Sequence, residues 1–208
     1  MIISIYGRIK AGKTTLSDML VSEYGFVLLS FADALREIVK NYSGVDKSWK
    51  KNSAWNMHSD KKYIYGMNRL FSDIGDYYDV KMLFFDSVSK ATTKHECYRI
   101  TLELIGTEVF RNLVSKNIWV AILAFNTVKC LSKGKNIVID DMRFDEEYSI
   151  LNKLHSVFIK IESPFMESDN GHESQMYIDS FSYNYFINND GTEKELLKKF
   201  KKLNIVRV

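Results

Sequence analysis

Five short apolar runs punctuate the chain: Ile2–Tyr6, Phe26–Ser30, Ile137–Asp140, Val157–Ile161 and, more weakly, Tyr185–Asn188. Around them, apolar positions recur at helical spacing over Lys13–Tyr24, Ala34–Tyr42, Arg99–Val114, Ile118–Ser132, Asp145–Lys153 and Thr192–Leu203. Strands that alternate with helices predict an α/β fold: a five-stranded parallel sheet with helices on both faces. In such sheets ligands bind beyond the carboxyl ends of the strands. That rule directs attention to Gly7–Thr15, Phe31–Leu35, Asp140–Arg143 and Ser163–Gln175. The stretch Ser43–Glu96, rich in Tyr, Trp, Lys and Asp, shows no β period and reads as a mostly helical insertion. The expected organisation is one domain over residues 1–208, with 43–98 as an inserted lobe and 163–175 as a candidate lid.

The loop after the first strand, Gly7-Arg8-Ile9-Lys10-Ala11-Gly12-Lys13-Thr14, satisfies G-x-x-x-x-G-K-[ST] in full. A strand leads into it and a helical pattern follows Thr15, which is the context the motif requires. Gly7 and Gly12 let the backbone curl so that its N–H groups face phosphate, and the helix N-terminus adds partial positive charge. Gly7, Lys10, Ala11, Gly12, Lys13, Thr14 and Thr15 are the expected nucleotide-binding residues. Lys13 reaches the β- and γ-phosphates, and the Thr14 hydroxyl ligates Mg²⁺. The chain therefore reads as a binder of a nucleoside triphosphate.

Bulk properties narrow the partners. A chain of 208 residues, 46% hydrophobic and 26% charged, holds a core without staples. Its net charge of +3 gives no footprint for a nucleic-acid polymer. The basic stretch Lys194–Lys202 alternates with Leu196, Leu197 and Phe200, the pattern of a solvated amphipathic helix. Cys97 and Cys130 show neither disulfide nor zinc spacing. No apolar run approaches the ~18 residues of a membrane span, and no leader pattern is read at the N-terminus. The expected compartment is the cytoplasm.

Further chemistry gathers at the other strand ends. Ile137-Val138-Ile139-Asp140-Asp141 is an apolar strand ending in carboxylates, one of which is placed to hold Mg²⁺. The expectation is placed on Asp141, the sequence leaving Asp140 open. Arg143 follows and brings a cation beside the phosphates. Asp33, after the second strand, is either a helix N-cap or a ligand to a sugar hydroxyl or an arginine. Gly106-Thr107-Glu108-x-x-Arg111 lies inside a helical pattern, where a glycine costs ~1 kcal/mol relative to alanine. Close packing or close approach of a ligand must offset that cost. Arg111, with Arg99 as a second candidate, suits bidentate phosphate binding. Trp119 reads as core. The candidate lid, which carries His172-Glu173-Ser174-Gln175, contains no arginine, so Lys10, Arg8 and Arg143 become the expected sources of transition-state charge. No nucleophile–base pair is needed where the acceptor is already an anionic phosphate.

In this order the motifs resemble the phage-type and viral deoxynucleoside monophosphate kinases, P-loop enzymes of the adenylate-kinase-like group. The matching strings are Gly7–Thr15, Phe31-Ala32-Asp33-Ala34-Leu35, Gly106-Thr107-Glu108 with Arg111, Ile118-Trp119-Val120, Asp141-Met142-Arg143-Phe144 with Glu147, His172-Glu173-Ser174, and Ile187–Thr192. No match is read over Ser43–Glu96. The resemblance implies a three-layer P-loop kinase fold with a helical acceptor-binding insertion, and a homodimer. It implies transfer of the ATP γ-phosphoryl group, with Mg²⁺, to a deoxynucleoside 5′-monophosphate. By that analogy Asp33, Arg111 and Arg143 fall on or near the acceptor, while Lys13 and Thr14 serve the donor and Mg²⁺. The expected catalytic residues are then Lys13, Arg111 and Arg143, and the expected acceptor-binding residues are Asp33, Arg99, Glu108, Arg111 and Arg143. Gln175 stands where these proteins usually carry Glu, and Ser163 stands where a basic residue is expected. The competing readings are a P-loop kinase for another small acceptor, such as dephospho-coenzyme A or phosphomevalonate, and a nucleotide-binding module without catalysis. A regulatory GTPase needs Asn-Lys-x-Asp, whereas the nearest string, Asn152-Lys153-Leu154-His155, ends in His.

Overall fold

The first strand, β1 (Ile2–Tyr6), is buried along its whole length, as a strand covered on both faces must be. It is the centre of a parallel sheet. The computed structural model describes residues 1–46, 53–75, 77–164 and 178–206. The other strands are β2 (Val27–Leu29), β3 (Ile137–Ile139), β4 (Val157–Glu162) and β5 (Tyr185–Asn188), in the order β2-β3-β1-β4-β5. Every pairing is parallel: Ile3 lies opposite Val138 and Val157, and Ile159 lies opposite Tyr185. The chain runs from β1 outward to β2, returns through β3, and crosses to β4 on the other side. The sheet thus reverses its winding direction at β1, and the loop Gly7–Gly12 leaves from that point.

Strand alternation divides the core in two. Ile3, Ile5, Val138 and Ile161 face α1 (Lys13–Tyr24) and α8 (Glu193–Lys202) through Leu16, Leu20, Leu196 and Phe200. Ile2, Tyr6, Ile137, Ile139 and Phe158 face α6 (Ile118–Leu131) and α7 (Asp145–Lys153) through Leu123 and Leu151. This is the expected three-layer α/β architecture. α8 begins with a reciprocal cap in which Thr192 and Glu195 bond each other's backbone N–H. β2 is shorter than the apolar run around it: Phe26 lies in the core outside the strand, and Ser30 is turned to a carboxylate.

The chain divides into two compact units, one of Met1–Phe31 with Val120–Val208 and one of Ala32–Trp119. The described residues of the second are mostly helical, beginning with α2 (Asp33–Ser43). A short turn (Met57–Ser59) follows, then α3 (Lys61–Ile74), α4 (Tyr78–Ser89) and α5 (Lys94–Leu104). Asp60 caps α3 by accepting from Tyr63 N (3.0 Å), and Thr93 caps α5 by accepting from Glu96 N (3.1 Å). Tyr63, Met67, Phe71, Phe84 and Ile105 fill the centre of this unit, with the Tyr63 hydroxyl 2.6 Å from Thr101 Oγ1.

Two close approaches explain why α2 belongs here. A Cβ on Gly66 of α3 would overlap the Tyr42 carbonyl oxygen and lie 3.0 Å from Ser43 Cα. A Cβ on Gly106 would lie 2.7 Å from Leu35 Cδ2. Because the obstacle at Gly66 is backbone, no rotamer change relieves it. Gly66→Ala is expected to destabilise the protein by about 3 kcal/mol, the upper end for overpacking. Denaturant unfolding of the variant checks this, and an unchanged midpoint would contradict the close α2–α3 crossing.

The helix expected over Arg99–Val114 is two segments. α5 ends at Leu104, and the chain continues as a π-helical stretch, Ile105–Val114, closed by a bond from Ser115 N to Phe110 O (2.9 Å). Such widened turns recur at functional sites. Trp119 is core, as read: it is buried, its Nε1 donates to Gly106 O (3.2 Å), and its ring packs on Phe110.

Candidate active site

The loop between β1 and α1 has the conformation that its glycines permit. Gly7 (φ 151°) and Gly12 (φ 100°) occupy positive φ, and so does Lys10 (φ 67°), which a side chain rarely adopts. Neither glycine has room for a side chain. A Cβ on Gly7 would overlap the Ile161 carbonyl oxygen, and one on Gly12 would overlap the amide of Asn189. The Lys13 ammonium is folded back onto its own loop, donating to Gly7 O (2.8 Å) and Arg8 O (2.9 Å). Burial pushes its pKa down to about 8, the Arg143 guanidinium adds to that, and the Asp140 carboxylate opposes it. An ammonium so placed gains from any anion that enters the loop. Thr14 is exposed at the start of α1, and Thr15 is half-buried.

The two acids after β3 diverge. Asp140 Oδ2 accepts from Ser17 Oγ of α1 (2.7 Å), so its carboxylate lies on the phosphate-loop side. Asp141 Oδ1 accepts from Phe31 N (3.0 Å), and its Oδ2 accepts from Ser30 Oγ. Both oxygens of Asp141, the residue expected to hold Mg²⁺, are thus engaged at the end of β2. Thr14 and Asp140 offer a hydroxyl and a carboxylate, a hard-oxygen pair that fits Mg²⁺ when phosphates and water complete its shell. Among the described residues no cluster of three or more His, Cys, Asp or Glu stands ready to cage a metal alone.

The exposed Arg143 follows, its backbone N–H bonded to Glu147 Oε2 (2.7 Å), which also accepts from Phe144 N (3.2 Å). Glu147 is buried, so the loop carrying Arg143 is held from beneath. Arg8 donates to Asp179 Oδ2 (2.7 Å), whose other oxygen accepts from Lys160 Nζ (3.2 Å). These two cations hold the Asp179 carboxyl below its ordinary range. Asn189 supports the loop from the far side: its Nδ2 donates to Ala11 O (3.0 Å) and its N–H to Glu162 O (2.6 Å).

The remaining candidates lie on the unit Ala32–Trp119. Asp33 is the first residue of α2; the N-cap is Ala32, which supplies no side-chain bond. The Asp33 carboxylate instead accepts from Arg36 Nη1 (3.0 Å), and Arg36 also bonds the Tyr98 hydroxyl. Arg99 is exposed on α5 and helps to hold the Glu96 carboxyl below its usual value, after the bonds that Glu96 accepts from Thr92. Glu108 Oε2 accepts from Asn112 Nδ2 (3.1 Å), and Arg111 is half-buried in the π-helical stretch. Ser163, where a cation was expected, is buried. His172, Glu173, Ser174 and Gln175 of the candidate lid lie outside the described residues. Arg36, Ser17 and Asn189 were not among the expected site residues. Arg36 follows Asp33 at i+3, a readable signal, whereas nothing local marks Asn189 as a partner of a loop 178 positions away.

A family model described as deoxynucleotide monophosphate kinase matches residues 52–200. The match includes much of the stretch in which the motifs had shown no resemblance. A putative deoxynucleotide monophosphate kinase of Acanthamoeba polyphaga mimivirus is 25% identical, over 94% of this chain and 91% of that protein. The deoxynucleotide monophosphate kinase of Enterobacteria phage T4 is 20% identical, over 96% and 97%. Among solved structures, a dephospho-CoA kinase from Campylobacter jejuni superposes with a TM-score of 0.47 at 14% identity, over 97% and 96%.

Proposed function

Since the chain belongs to the deoxynucleotide monophosphate kinase family, we propose that it transfers the γ-phosphoryl group of ATP, with Mg²⁺, to a deoxynucleoside 5′-monophosphate. The products are the deoxynucleoside diphosphate and ADP. The observation that carries this reading is the Lys13 ammonium, desolvated and folded onto the carbonyls of a glycine-shaped loop, with the Asp140 carboxylate beside it. On triphosphate binding Lys13 exchanges Gly7 O and Arg8 O for β- and γ-phosphate oxygens, while loop N–H groups and the start of α1 take the rest of the charge. Thr14 and Asp140 are the residues that would hold Mg²⁺, and the metal role expected of Asp141 passes to Asp140. When bound there, the ion would supply neutralisation of the negative charge on the transferring phosphates.

The acceptor needs no catalytic base. Its phosphate oxygen is anionic near neutral pH; it attacks phosphorus in line, one P–O bond forms, and the bond to ADP breaks. Cations carry the added charge. Lys10, Arg8 and Arg143 are the assigned cations, Arg8 exchanging its bond to Asp179 for phosphate as Lys13 exchanges its carbonyls. Acceptor recognition falls to Asp33, Arg99, Glu108 and Arg111, and Arg36 joins them through its bond to Asp33. Residues 163–175 remain the candidate lid, the assembly is a homodimer, and the site of action is the cytoplasm. Among the described residues no helix is long and apolar enough to cross a membrane.

Arg111→Ala is the test of the acceptor side. A charged hydrogen bond contributes ~1.5–3 kcal/mol, so the acceptor KM should rise about ten- to hundredfold while the ATP KM holds. Steady-state kinetics with each substrate varied in turn reads both. An unchanged acceptor KM would remove Arg111 from the site.

A further inference from the structure

Asp140 and Asp141 are neighbours whose side chains leave the end of β3 toward different elements. Asp140 meets α1 through Ser17, and Asp141 meets the chain leaving β2 through Ser30 Oγ and Phe31 N. The β2–β3 ladder ends at Leu29 opposite Ile139, so Asp141 prolongs the pairing beyond the point where the strands can bond each other. Ser30 and Phe31 are buried there. The next residue, Ala32, begins the second compact unit, and α2 begins at Asp33. That unit carries Asp33, Arg36, Arg99, Glu108 and Arg111.

From this juxtaposition we infer that Asp141 is a positioning residue. It fixes the point where the chain departs from the sheet toward the acceptor-binding unit, and it does so from the same strand end that presents Asp140 to the donor site. The two acids of one dipeptide therefore have separate tasks, Asp140 facing the phosphate loop and Asp141 holding the chain where it leaves β2. A carboxylate accepting from a hydroxyl and a backbone N–H is engaged through both oxygens. Swinging it away toward a cation at the phosphate loop would leave the Phe31 N–H unpaired in the core. The acceptor part of the inference rests on the function proposed above; the anchoring part does not.

The experiment compares Asp141→Ala, which removes both acceptor oxygens, Ser30→Ala and Ser30→Thr with the wild-type protein. Asp141→Ala and Ser30→Ala should raise the acceptor KM at least tenfold. The ATP Kd and the Mg²⁺ concentration at half-saturation of ATP binding, measured calorimetrically without acceptor, should stay within twofold. Ser30→Thr, which keeps the hydroxyl, should restore the acceptor KM. Amide hydrogen exchange gives a readout independent of activity: exchange at Phe31 should accelerate at least tenfold in Asp141→Ala, which removes its acceptor, with the rest of the sheet unchanged. A shifted Mg²⁺ half-saturation with an unchanged acceptor KM would make Asp141 a metal ligand and overturn the inference, as would unchanged exchange at Phe31. If the wild-type protein phosphorylates no deoxynucleotide, the proposed function fails on its own. The exchange measurement then decides the anchor alone, accelerated exchange at Phe31 supporting it.

Discussion

Lys13→Ala is expected to lower kcat/KM for ATP by about 10²–10³, roughly 3–4 kcal/mol of lost transition-state stabilisation, and to leave the fold intact. Two features of the loop set the size of the effect. Burial has already stripped water from the ammonium and pushed its pKa down to about 8, so it enters the reaction desolvated. Its present partners are the carbonyls of Gly7 and Arg8, which a bound triphosphate displaces at little cost. The loop keeps its shape without Lys13, because Asn189 holds Ala11 O and the glycines fix the backbone. Thermal unfolding should move little while turnover collapses. Near wild-type turnover would refute the donor-site assignment.

Asp140→Asn is expected to have the second-largest effect, a loss of about 100-fold or more in turnover, with a rise of at least tenfold in the Mg²⁺ concentration needed for half-maximal rate. The amide keeps an oxygen for Ser17 Oγ, so packing is nearly unchanged; what is lost is the charge. Asp140 is also the carboxylate that offsets the burial of Lys13, and removing it pushes the lysine pKa further down. A Mg²⁺ titration of the variant at saturating ATP separates the metal effect from the lysine effect. An unchanged Mg²⁺ requirement would return the metal role to Asp141.

Much of the fold was legible because its signals are local. β1 reads as a buried parallel strand from Ile2, Ile3 and Ile5, and the phosphate loop reads from Gly7, Gly12, Lys13 and Thr14 without tertiary information. The switch from α5 to a π-helical stretch at Ile105 was not legible, since the hydrophobic spacing of the two differs too little over three turns. Gly106 was readable as an anomaly. The partner that explains it, Leu35, is 71 positions away and on another helix.

The two acids show where reading from sequence stops. Alternation along β3 says that Asp140 and Asp141 point apart, but not which of them faces α1. That depends on Ser17 and Ser30, whose roles exist only once α1 and β2 flank the strand. Asp33 shows the same limit at smaller scale. It precedes an apolar helical pattern as an N-cap would, yet the chain turns one residue earlier, leaving its carboxylate for Arg36. The place of α2 in the helical unit likewise follows from the Gly66 and Gly106 contacts, which no spacing rule encodes.

The most direct test is ADP release in the presence of ATP and Mg²⁺ across a panel of deoxy- and ribonucleoside 5′-monophosphates, with dephospho-coenzyme A and no-acceptor controls. Turnover with one or more deoxynucleoside monophosphates, abolished by Lys13→Ala and absent with dephospho-coenzyme A, is the expected result. Silence across the deoxynucleotides from folded protein that binds ATP would contradict the proposed reaction, and turnover of dephospho-coenzyme A would replace it with another acceptor.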